Sequence, residues 1–260
     1  MFGTVDLSRS ARAVADLFDG YRDRVDRTIG DGDEMYRGNL DSYLSVGFSA
    51  TAQIANAMIL TGRTDLPRIL DLPCGHGRVM RCLRAVFPQS EIVGCDLLRD
   101  GVEFCARQYG AVPVHSVVEP EEIPLPGEFD LIWVGSLLTH LDEEHCRRFM
   151  VVFRRHLAPG GLLLVSSHGR NAVDRWPAGD ERAQAIRADF EHTGFGYRDH
   201  AGVTGYGTSA FTAAWMTDEI TRHTDVTMIG YFERGLADHQ DLAVLTKLDV
   251  HHGQNAFILA

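Results

Sequence analysis

Apolar positions along this chain follow two rhythms. Between positions 68 and 167, short unbroken apolar runs alternate with stretches in which apolar residues recur every three or four positions. The runs fall at 68–72, 91–95, 112–117, 129–136 and 162–167. Runs of this kind are buried on both faces, as parallel strands are. The stretches between them read as helices, so the pattern predicts a doubly wound α/β sheet. Ahead of the sheet, Val14, Leu17, Phe18, Tyr21 and Val25 stand at helical spacing, with Ser10 as N-cap. A second helix is predicted over 41–61, burying Leu44, Ala50, Ile54 and Met58 and stopping at Gly62. Residues 30–38, rich in glycine and acid, read as a flexible connection.

Beyond the first strand, one helix runs to Phe87, and another buries Val102, Cys105 and Tyr109 before Gly110. Asp142 caps a helix with Glu143 and Glu144 in its first turn and Arg154 and Arg155 in its last, charges that suit the helix dipole. After His168 the alternation thins. One helix is expected over 180–192, on Ala183, Ile186 and Phe190, and 195–206 is glycine- and aromatic-rich without regular rhythm. Such an insertion is where substrate loops are carried. Residues 226–232 and 242–248 read as the last two strands. The tail 249–260, with His251 and His252, has no clear type. One domain is expected over 1–260: a helical cap (1–62), a core (63–168), the insertion (169–225) and a final hairpin (226–248).

Composition narrows the partners. A net charge of −11 argues against wrapping nucleic acid, which needs a cationic face. No apolar run approaches the roughly 18 residues of a membrane span, and positions 1–10 lack a signal-peptide core. The five cysteines are scattered without Cys-x-x-Cys pairs, which suits reduced thiols in a cytoplasm. The expected partner is a small-molecule acceptor, with no nucleic acid, membrane or metal; oligomeric state is left open.

The chemistry starts at the end of the first strand. Asp71 is followed by Leu72, Pro73, Cys74, Gly75, His76 and Gly77, and a helical pattern opens at Arg78. Strand, glycine loop and helix bring backbone and helix N–H groups against a nucleotide-like ligand. The acid with alternate glycines resembles motif I of the class I S-adenosylmethionine (SAM) methyltransferases. Pro73 departs from it, standing where the family usually has its first glycine. Leu157, Ala158, Pro159, Gly160 and Gly161 resemble the family's turn into strand five. Met80 occupies the position where a dinucleotide fingerprint wants glycine. The resemblance implies a Rossmann-like, mostly parallel seven-stranded sheet with an antiparallel last strand, N-terminal helices and an insertion between strands five and six. It implies SAM as cofactor, held by Asp71, Pro73, Cys74, Gly75 and Gly77. Asp96, about 20 residues beyond the loop, suits ribose hydroxyls, and Leu97 offers adenine an apolar face. Ser116 and Val117 fall near the adenine amino group, and Gly135 and Ser136 against the methionine part.

The acceptor site is read from histidines and aromatics. His140 follows strand four and His168 ends strand five, at crevice-facing strand tips. A neutral imidazole suits proton removal near pH 7, so His140 is the first candidate base and His168 the second. Either can instead anchor its loop. Tyr36, Tyr43, His200, Tyr206, His239 and Asp241 are candidates for lining the acceptor pocket; packing and turn roles stand beside that reading. His76 either shapes the glycine loop or serves the site. O-methylation of a sugar or specialised metabolite is the favoured reaction. Transfer or cyclisation of the SAM aminocarboxypropyl arm, a non-catalytic SAM-binding module, and a dehydrogenase disfavoured by Met80 are the alternatives.

Overall fold

A computed structural model describes residues 7–223 and 225–248; the tail with His251 and His252 lies outside them. In chain order the elements are α1 (Leu7–Phe18), α2 (Leu40–Thr61), β1 (Arg68–Asp71), α3 (Met80–Val86), β2 (Glu91–Asp96), α4 (Arg99–Tyr109), β3 (Val112–His115) and β4 (Phe129–Val134). There follow α5 (Glu143–His156), β5 (Leu157–Ser167), α6 (Arg170–Arg175), α7 (Glu181–Thr193), β6 (Phe195–Asp199), β7 (Gly207–Phe211), α8 (Ala213–Thr221), β8 (Val226–Leu236) and β9 (Gln240–Lys247).

Seven strands form one sheet in the order β3-β2-β1-β4-β5-β9-β8. The first five are parallel, and β9 runs antiparallel to both its neighbours. The winding reverses between β1 and β4, which opens a crevice at their carboxyl ends. Alternate side chains feed two cores. Ile69, Leu131 and Leu164 face α2 and α3, whereas Leu70, Ile132 and Val165 face α5 and α8. That double burial is why these strands are apolar at consecutive positions.

The N-terminal part differs from expectation. The first helix already includes Ser10 and ends at Phe18, because Gly20 turns left-handed (φ 59°) and a 3-10 turn, Tyr21–Arg24, follows. The segment 30–38 is tied down. Tyr43 Oη donates to Asp33 Oδ2 at 2.5 Å. Arg81, only 1% exposed, donates to the carbonyls of Asp26 and Thr28 on one side and of Gly77 on the other. This buried guanidinium clasps the cap onto the glycine loop. α2 is capped by Asn39, whose side chain accepts from Ser42 N, and by left-handed Gly62. Contrary to the reading of apolar runs, its 22 residues, at hydropathy 1.2, are long and apolar enough to cross a membrane by length and composition. In this fold its Leu44, Ile54 and Met58 are buried against the sheet.

The insertion is also more regular than its sequence. β6 and β7 pair as a separate antiparallel hairpin, between α7 and α8. Gly196 allows the close approach: a Cβ there would lie 2.1 Å from Ile186 O on α7.

Candidate active site

The site begins where β1 stops. Leu72 N donates to Trp133 O and Cys74 N to Cys95 O, so the loop rises from mid-sheet, bonded to both neighbours. The Leu72–Pro73 peptide is cis. Gly75 and Gly77 are both left-handed (φ 48° and 76°), but they serve opposite sides. A Cβ on Gly75 would meet nothing within 4 Å, so this residue presents bare backbone to the crevice. A Cβ on Gly77 would sit 2.4 Å from Tyr109 Cε2, so this residue seats the loop on α4. The close-approach glycine of the crevice is therefore Gly75.

Asp96 ends β2 with both carboxylate oxygens engaged by backbone. Oδ2 accepts from Gly75 N at 2.7 Å and Oδ1 from Leu98 N at 2.9 Å. Each oxygen keeps a second lone pair for a hydroxyl donor. Beside it, Leu97 (60% exposed) and Leu98, with Val117 and Val118 beyond β3, leave an apolar lip on adjacent strand tips. Ser116 N is bonded to Asp96 O within the same corner. Asp71 is buried and its Oδ2 has no hydrogen-bond partner. Burial, then the charge of Asp96, push its carboxyl well above the usual range, against the pull of Arg78.

Beyond β4, Ser136 adopts a left-handed conformation (φ 65°), rare for a residue other than glycine. It is held by a buried network: Ser136 N donates to Ser166 Oγ at 2.8 Å, and Ser166 Oγ donates to Gln240 Oε1 at 2.7 Å. Gln240 Nε2 donates back to Ser136 Oγ at 3.1 Å. Ser166 and Gln240 were not singled out from sequence; a serine pair ending an apolar strand was the available sign.

The free edge of β7 then organises the histidines. His140 Nδ1 lies 3.0 Å from Gly207 O, and His168 Nδ1 lies 2.9 Å from Ser209 O. A carbonyl only accepts, so each Nδ1 carries the proton. Phe211 N donates to His168 O at 3.0 Å and Ser209 Oγ to Leu138 O at 2.5 Å, completing the clamp. Burial lowers the pKa of His140, with His200 adding and the hydrogen bond to Gly207 opposing. Burial takes His168 down to about 4, with His239 and His140 adding and the bond to Ser209 opposing. Both rings are neutral near pH 7, each with its Nε2 lone pair available.

The structure brings several sequence candidates to these rings. Tyr206 stacks on His140 at 4.8 Å, and His200 lies 6.2 Å from His140. His239 lies 5.7 Å and Trp176 5.5 Å from His168. Burial raises the pKa of the Tyr206 hydroxyl, and the charges of Glu34 and Asp96 add to it. Two candidates are closed off instead. Tyr43 is buried, bonded to Asp33 and packed against Tyr36 and Arg81, and so braces the cap. Asp241 is buried with its oxygens on Tyr231 Oη and Arg234 N, both at 2.9 Å; its charge is spent inside the hairpin.

The Asp96 geometry carries a prediction. Asp96→Ala is expected to weaken SAM binding by about 1–3 kcal/mol and also to lower the melting temperature without ligand, because two backbone donors lose their acceptor. Calorimetry and thermal melting check both; unchanged SAM affinity would remove Asp96 from the site.

Sheet order, glycine loop and the acid at the second strand's tip together define a class I, Rossmann-like, SAM-dependent methyltransferase fold. Residues 69–161 match the family model described as a methyltransferase domain. The chain is 27% identical over 161 residues to phthiotriol/phenolphthiotriol dimycocerosates methyltransferase 1 of Mycobacterium ulcerans, covering 59% of this chain and 53% of that protein. It is 27% identical over 160 residues to a fatty-acid O-methyltransferase of Mycolicibacterium smegmatis, covering 60% and 52%. It thus spans about half the length of the curated relatives it matches. The SAM-bound structure of CalS10, an amino pentose methyltransferase from Micromonospora echinaspora, superposes with a TM-score of 0.56 at 18% identity, covering 81% of this chain and 93% of that one.

Proposed function

We propose that this protein transfers the methyl group of SAM to an oxygen of a small polar molecule, a sugar or a specialised metabolite. The observation that carries the reading is the pair of neutral histidines, His140 and His168, clamped through Nδ1 to β7 with Nε2 free. SAM supplies a methyl group already activated on a sulfonium. The chain's residues do the rest. Gly75 offers backbone to the cofactor, Asp96 accepts from its ribose, and Leu97 and Val117 flank its adenine. Arg78 and Asp71, one cationic and one acidic beside the loop, suit its amino-acid end. His140 Nε2 takes the acceptor's proton as the oxygen–carbon bond forms and the carbon–sulfur bond breaks. Well-placed reactants account for about 7–11 kcal/mol of such a barrier, and a positioned base adds roughly 10²–10⁴ in rate.

One curated relative is named as an O-methyltransferase of fatty acids, which supports oxygen as the acceptor atom, and a neighbour of the same fold is named for an amino pentose. The described strands of the core and the final hairpin share one sheet, which supports reading residues 1–260 as one domain with a cap and an insertion. All five thiols are free and buried, which suits the reducing cytoplasm we propose for it. The test is product analysis. Incubation with SAM and a panel of hydroxylated sugars and metabolites is expected to give S-adenosylhomocysteine and a methyl group on oxygen. Methylthioadenosine as by-product would replace methyl transfer with use of the aminocarboxypropyl arm.

A further inference from the structure

Arg182 stands half-buried in the first turn of α7. Its Nη1 lies 2.7 Å from His200 Nδ1. A guanidinium only donates, so His200 Nδ1 accepts here and its proton sits on Nε2. His200 in turn lies 5.3 Å from Tyr206, which stacks on His140. On its other side, Arg182 borders a cavity of about 120 Å³ walled by Trp176, Ile186 and Thr208. Trp176 is also the aromatic against His168. Trp176 thus links the cavity to His168, and His200 links Arg182 to His140.

Arg147, Arg148, Arg154 and Arg198 each pair with a carboxylate. Among the described residues none pairs with Arg182. The acid in the cavity wall is Asp180, and its Oδ1 accepts from Arg182 N and Ala183 N as the cap of α7. Its charge is directed at the helix end. A half-buried cationic fork that no carboxylate pairs with matches a planar or tetrahedral anion.

We infer that Arg182 recognises an anionic group, a carboxylate or a phosphate, on the acceptor. The inference rests on the methyltransferase reading and adds the substrate class to it. The acceptor then carries its charge at Arg182 and its nucleophilic oxygen toward His140. Arg182 is a specificity residue and takes no proton.

The experiment titrates the protein saturated with S-adenosylhomocysteine by calorimetry, using benzoate, phenyl phosphate and neutral benzamide as probes. One or both anions are expected to bind at least tenfold tighter than benzamide. Arg182→Gln should remove that preference while leaving the benzamide and S-adenosylhomocysteine affinities unchanged, and Arg182→Lys should restore part of it. A preference for benzoate identifies a carboxylate and a preference for phenyl phosphate a phosphate. Anions bound no better than benzamide, or bound equally by Arg182→Gln, would overturn the proposal. Retained S-adenosylhomocysteine binding shows that each variant is folded; its absence in the wild-type protein would sink the methyltransferase reading itself.

Discussion

Replacing His140 by alanine is expected to cut kcat by about 10²-fold or more while SAM affinity stays near that of the wild type. His168→Ala tests the second candidate in the same way. The pH dependence is specific to these rings. An unperturbed histidine titrates at about 6.5, but burial lowers His140 and takes His168 to about 4. Protonation removes the lone pair, so the acid limb of kcat should lie at lower pH than that of an unperturbed histidine. In the variant lacking the base that acid limb should vanish. The same shift links to stability. His168 folds neutral with a pKa of about 4 against 6.5 unfolded, so between those values the unfolded chain binds the extra proton. Stability is unaffected above pH 6.5 and declines as pH falls toward 4, by about 3 kcal/mol in all. His168→Asn should flatten that decline in thermal melts. Near wild-type kcat and pH profile in both alanine variants would mean that proximity alone drives the reaction, and would point to a nitrogen, sulfur or carbon acceptor.

The core of the site was legible because its determinants are local. Parallel strands buried on both faces must be apolar throughout, so residues 69–72 and 129–134 announce themselves. Asp142 accepts a backbone N–H bond as a helix cap, as its position ahead of an apolar period suggested. What stayed hidden depends on partners distant in sequence. The hairpin β6–β7 has no clean alternation, because Gly196 is selected by contact with α7. Asp241 resembles a pocket acid until Tyr231, on the paired strand, is seen to occupy it. The two loop glycines look equivalent in sequence; only the position of Tyr109 on α4 separates their roles. His140 and His168 could be placed at strand tips, but the β7 carbonyls that fix their tautomers come from about 40 to 70 residues further along.

That separation of the glycines yields the sharpest test of where the cofactor sits. Gly75→Leu directs a side chain into open crevice, so SAM affinity should fall by at least about 100-fold. The left-handed backbone costs about 1–2 kcal/mol, a loss of a few degrees in melting temperature for a chain of this size. Gly77→Leu drives its side chain into Tyr109, adding an overpacking cost of about 1–3 kcal/mol, and should melt markedly lower. The central claim is that this crevice is a SAM site, and calorimetry on the wild-type protein addresses it most directly. SAM and S-adenosylhomocysteine are predicted to bind one per chain, to lose that binding in Gly75→Leu, and NAD is predicted not to bind. Tight binding of NAD with none of SAM, or full SAM affinity in the folded Gly75→Leu protein, would contradict the account.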